Sequence, residues 1–115
     1  MKSLESLSGL AEEELAILTR CRDAIRAVDG TAQVILYGSR ARGDAEPESD
    51  FDLVILTEGS MTLDREARLR EAVFPIEIEA GVVLTVIAYS RGEWDSPLYR
   101  AMPFHQSVEE DGVVL

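Results

Sequence analysis

The stretch "ILYGSRARGDAEPESDFDLVIL", Ile35 to Leu56, decides the fold. An apolar run of strand character stops at Gly38-Ser39. A polar loop carries Arg40 and Arg42, and a second apolar run opens on Asp50 and Asp52, two positions apart. "AQVILYG" predicts a buried strand ending at Gly38, and "DFDLVILT" predicts a second strand over Phe51–Thr57, entered through a turn at Glu46-Pro47-Glu48.

Upstream, Leu10, Leu15, Leu18, Ile25 and Val28 recur near helical spacing, with Ser8 as the predicted N-cap and Asp29-Gly30 as the stop. Downstream, "DREARLREAVF" predicts a helix. "PIEIEAG" also fits a short alternating strand, but a helix kinked at Pro75 and ending near Gly81 is the favoured reading. "VVLTVIAY" predicts a third strand. "SRGEWDSPLYRA" predicts a helix capped by Ser90, with Glu93 at capping-box spacing. Pro103 opens a last helix that stops at Gly112, and "VVL" predicts a short edge strand. The order is αββαβαα. That is an α/β (α+β) class, with a small mixed sheet of three to four strands flanked by helices.

The 115 residues suit a single domain over 1–115. Hydrophobic residues at 46% and charged residues at 29% are a globular balance, far from the disordered class. No apolar run approaches the roughly 20 residues needed to cross a bilayer, and the N-terminus lacks a signal-peptide core. One cysteine, Cys21, allows no internal disulfide, so the expected compartment is a reducing cytoplasm and the expected place of Cys21 is the interior. A net charge of −11 without a basic stripe argues against a long nucleic-acid partner.

Gly38 lets a ligand approach the backbone closely, and Ser39 adds a hydroxyl. A Gly-Ser turn at a strand end makes an amide nest suited to phosphate, with Arg40 and Arg42 able to add charge-assisted bonds. The same dipeptide is also common in a plain strand-to-helix turn. Residues i and i+2 of a strand share a face, so Asp50 and Asp52 would aim two carboxylates at one spot. A hard cation such as Mg²⁺ with substrate phosphates resolves that repulsion. The pair reads equally well as a solvated strand start with Asp50 capping the turn.

Taken together, Gly38-Ser39-Arg40-Ala41-Arg42-Gly43 and Ser49-Asp50-Phe51-Asp52-Leu53 resemble the signature of the minimal nucleotidyltransferases, within the polymerase-β-like nucleotidyltransferase superfamily. The resemblance implies that Gly38 and Ser39 hold the triphosphate of an NTP, expected to be ATP, and Arg40 and Arg42 are the further nucleotide-binding candidates from their charge. It implies that Asp50 and Asp52 bind Mg²⁺ and are the catalytic residues. The activity it implies is transfer of a nucleoside monophosphate, AMP from ATP, to a small-molecule or protein hydroxyl. It also implies an antitoxin-type pairing with a small helical HEPN protein. A partner's side chain is one way to complete the site, and a homo-oligomer is a separate expectation.

The sequence departs from the family at the third carboxylate expected on the next strand, where Thr85 stands. Glu77 or Glu79 could substitute only if "IEIE" is a strand. The alternative function is therefore a catalytically weak or inactive nucleotide-binding partner. His105 is expected on a helix surface, Glu12-Glu13-Glu14 as a solvated first turn, and Trp94, Tyr99 and Phe104 as packing over the sheet.

Overall fold

Two continuous apolar runs, Val34–Leu36 and Leu53–Leu56, buried on both faces, fix the centre of the molecule. A computed structural model describes residues 1–4, 10–46 and 48–115. The strands are β1 (Lys2–Ser3), β2 (Gln33–Tyr37), β3 (Phe51–Thr57), β4 (Leu84–Ser90) and β5 (Val113–Val114). They form one mixed sheet in the order β1-β5-β2-β3-β4. β2 runs antiparallel to β3 and β5, β3 runs parallel to β4, and β1 runs parallel to β5. The sheet thus has five strands rather than three to four, because two pairs of residues at the chain ends join it. The closing "VVL" is not an edge strand: β5 lies between β1 and β2.

Helix α1 (Glu12–Val28) and helix α3 (Leu63–Ala80) cover one face. Leu18, Cys21 and Ile25 of α1 and Leu69, Val73 and Ile76 of α3 pack on Val34, Leu36, Phe51, Leu53, Ile55, Leu84 and Val86. Burial pushes the Cys21 thiol up to about 11, against a smaller opposing effect of Arg20, as the interior placement predicts. Asp29 caps the end of α1. Ala11 stands at its N-cap, and Ser8 lies outside the described residues. α3 runs through Pro75 without a hairpin and stops at Gly81, whose φ of 67° is the left-handed conformation that ends helices. Thr62 caps its start, accepting from the Arg65 amide.

The other face carries Ile35, Val54 and Leu56 beneath Trp94 and Val108. Its cover is built from α4 (Arg91–Trp94), α5 (Pro97–Arg100) and α6 (Pro103–Asp111). The helix expected over Ser90–Ala101 is thus two short turns. Ser90 caps the first as predicted and Ser96 caps the second, with Pro97 at its start. His105 is not on the surface. It is 6% exposed and stacks on Trp94 with ring centroids 4.3 Å apart. Among the described residues no helix is long and apolar enough to cross a membrane.

Candidate active site

The antiparallel β2–β3 pairing sets Tyr37 opposite Asp52, so the end of β2 and the start of β3 meet. The parallel β3–β4 pairing sets Asp52 opposite Thr85. Asp52 shares its face with Val54 and Leu56, the face roofed by α4–α6. That roof stops short of Asp52. Asp52 and Thr85 are half-buried, Ile87 beyond Thr85 is exposed, and Asp50, just before the strand, is exposed.

Gly38 sits tight against this carboxylate. Its φ is 77°, and a Cβ at position 38 would lie 2.6 Å from Asp52 Oδ2. Only glycine combines that backbone with that approach. The turn α2 (Ser39–Arg42) follows at once, with the Gly38 carbonyl accepting from the amides of Ala41 and Arg42 at 3.1 Å each. Gly38 therefore lies beside Asp52, although 13 residues lie between the two in sequence.

Thr85 Oγ1 donates a hydrogen bond to Asp52 Oδ1. The position where an acid was expected thus holds a donor that fixes one Asp52 oxygen. Burial, then the charge of Asp52, then Tyr89 raise the Tyr37 hydroxyl above its ordinary value of 10.0, so Tyr37 stays protonated beside the carboxylate. Tyr37 and Tyr89 flank Phe104, the former edge-on at 5.3 Å between ring centroids. Trp94 and Phe104 pack over the sheet as expected, and Tyr99 packs edge-on against Tyr89.

The two arginines of the motif diverge. Arg42 is exposed and pairs with Asp44 at 3.4 Å. Arg40 turns the opposite way, onto the Phe51 ring at 4.3 Å, and Phe51 belongs to the core under α1 and α3. Its Nη1 donates to Glu14 Oε2 at 2.9 Å, so Glu14 is not a solvated residue of the first turn. Sequence reasoning missed that partnership because the two residues are 26 positions apart; the one available signal was Glu14 lying third in its helix. Glu77 and Glu79 are on α3, across the sheet from Asp52. Glu77 accepts from the Leu84 amide at 3.3 Å and Glu79 pairs with Arg20 at 2.5 Å, so neither stands in for a third carboxylate.

Asp52, with the Thr85 hydroxyl behind it, and the exposed Asp50 two residues earlier offer oxygen donors of the kind a hard divalent cation takes. Among the described residues no group of three or more His, Cys, Asp or Glu side chains gathers to hold a metal. A cation here would need donors from a ligand as well.

Known proteins share this architecture. A toxin–antitoxin solved with AMP-PNP aligns over 90% of this chain and 72% of its own, at TM-score 0.59 and 15% identity. A protein assigned as a minimal nucleotidyltransferase aligns over 88% and 94%, at TM-score 0.57 and 24% identity. A Sulfolobus solfataricus protein assigned as a nucleotidyltransferase aligns over 94% and 90%, at TM-score 0.53 and 18% identity. These likenesses establish the fold. In sequence, a Methanocaldococcus jannaschii protein assigned as a protein adenylyltransferase is 32% identical over 63 residues, 55% of this chain, and the match spans 64% of that relative. The nucleotidyltransferase domain model matches residues 18–106, most of the chain, with Gly38, Ser39, Asp50, Asp52 and Thr85 inside the match, and the chain belongs to that family.

Proposed function

We propose that this domain transfers AMP from ATP to a hydroxyl group of a small molecule or a protein, with Mg²⁺ held at Asp50 and Asp52. The observation that carries the reading is the seating of Asp52. One of its oxygens lies against Gly38 and the other accepts from Thr85, at the open end of the sheet and beside the Gly38-Ser39 turn. The acceptor oxygen bonds to the α-phosphorus, the α–β bridging bond breaks, and pyrophosphate leaves; the acceptor's proton passes to solvent. Bound at Asp50 and Asp52, Mg²⁺ would supply charge neutralisation for the α-phosphate and the departing pyrophosphate. Gly38 and Ser39 seat the triphosphate, and the exposed Arg42 can swing from Asp44 to a phosphate oxygen. The name of the archaeal relative supports a protein acceptor, and the AMP-PNP in the toxin–antitoxin neighbour supports ATP. A helical HEPN partner is the acceptor that fits an antitoxin pairing.

Thr85 opposite Asp52 favours a second reading, a nucleotide-binding subunit with little turnover. Calorimetric titration with Mg·ATP tests what both readings share. Asp50→Asn should weaken binding at least tenfold, and equal binding by the variant removes the metal assignment. Incubation with α-labelled ATP and a cell extract then separates them. Labelled product with wild type and none with Asp52→Asn supports transfer, whereas tight binding without product supports the subunit.

A further inference from the structure

Asp50 sits in a loop, and its neighbours on both sides are held by one side chain. Arg40 donates from Nη2 and Nε to the Ser49 carbonyl, at 2.8 and 3.2 Å. Its guanidinium carbon lies 4.3 Å from the centre of the Phe51 ring. Ser49 and Phe51 are the residues immediately before and after Asp50. The third side of the guanidinium meets Glu14 at 2.9 Å, and the Arg40 and Glu14 side chains are 11% and 24% exposed. Glu14 is anchored in turn, its Oε1 accepting from the Ala11 amide at 3.2 Å. A chain of contacts therefore runs from the start of α1 through Glu14 and Arg40 to the two residues that bracket Asp50. Ser49 is itself held to Glu46 by two hydrogen bonds of 3.0 Å, its Oγ accepting from the Glu46 amide and its amide donating to the Glu46 carbonyl. Beyond it, the Phe51 amide donates to the Val83 carbonyl at 2.9 Å, tying the start of β3 to the approach of β4.

We propose that Glu14 and Arg40 are positioning residues that aim Asp50, and that Arg40 does so in place of binding phosphate. The effect on metal binding rests on the assignment of Mg²⁺ to Asp50 and Asp52. A planar guanidinium suits this place: it offers two donors to one carbonyl, a third to a carboxylate and a flat face to a ring. Lysine keeps the charge and loses that set. A phosphate ligand behaves otherwise. Lysine would partly replace it, and removing the charge of Glu14 would free it for the nucleotide.

The test uses the full chain, Mn²⁺ and ATP, with free Mn²⁺ read by its electron paramagnetic resonance signal. Amide hydrogen exchange over residues 44–52 is followed in parallel without nucleotide. Glu14→Gln, close to the same shape, and Arg40→Lys should each weaken Mn²⁺·ATP binding, roughly three- to tenfold. Both should also speed exchange over residues 44–52. If Asp50→Asn abolishes Mn²⁺ binding while Glu14→Gln leaves it unchanged or tighter, the positioning role is overturned and the metal assignment stands. If wild type and Asp50→Asn do not differ, the metal assignment falls, and exchange alone decides: faster exchange in both variants upholds the hold on Asp50, and unchanged exchange overturns it.

Discussion

The two faces of the sheet are built to different standards. Under α1 and α3, Leu53 and Ile55 of β3 are fully buried, and the layer runs unbroken from Ala32 to Ala88. On the other face Val54 and Leu56 are equally buried, but their roof of short helices ends before Asp52, and Ile87 on the neighbouring strand is 37% exposed. One strand thus serves both purposes by alternation: its odd positions build the core, and its first even position faces the gap. The larger core cluster lies on the sealed face, and the candidate site lies where the second cover stops.

Adjacent substitutions break that comparison most sharply. Leu53→Ala removes a fully buried side chain and should cost about 2–5 kcal/mol, read as a lower urea midpoint. Asp52→Asn, one residue away, should lower nucleotidyl transfer about 10²–10³-fold while shifting stability by less than about 1 kcal/mol. Equal losses of stability in the two variants would mean that Asp52 is structural. Gly38→Ala ranks next. A non-glycine residue at φ 77° costs about 1–2 kcal/mol, and the added Cβ would crowd Asp52 Oδ2. Stability and Mg·ATP affinity should both fall, whereas a loss of stability alone would separate the turn from the site.

Much of this was legible in the sequence, for identifiable reasons. β3 spans Phe51–Thr57 as predicted, and Gly38 ends β2, because short continuous apolar runs and a glycine at a strand end are local signals. Local signals also picked out Gly38, Ser39, Asp50 and Asp52, and of these the structure sets Gly38 against Asp52. What they could not show is non-local. β5 is too short to reveal a slot between β1 and β2, which only the closing of the chain ends creates. His105 looked exposed because its burial depends on Trp94, 11 residues earlier. Arg40 and Arg42 looked equivalent in sequence. They part because α2 sends residue 40 toward Phe51 and Glu14 while residue 42 stays outside.

The smallest expected effect is the one that tests whether the open face is tuned for a cation. Thr85 now meets Asp52 as a neutral donor, so the protein alone carries no repulsion at this pair. Thr85→Asp would set two carboxylates directly opposite each other on neighbouring strands. Like charges so placed cost about 0.2–1 kcal/mol, which in a domain of this size lowers the melting temperature by a few degrees. A divalent cation reverses the sign, since two facing acids bind it better than one acid and a hydroxyl. The variant should therefore melt below wild type in chelator and recover in millimolar Mg²⁺, with wild type moving less between the two conditions. Recovery accompanied by faster transfer from α-labelled ATP would show that the missing carboxylate limits turnover, and recovery without it that the cation is held and the limit lies in the acceptor. A melting temperature that ignores Mg²⁺ in both proteins would detach Asp52 and Thr85 from metal binding altogether, leaving their hydrogen bond as a feature of the sheet.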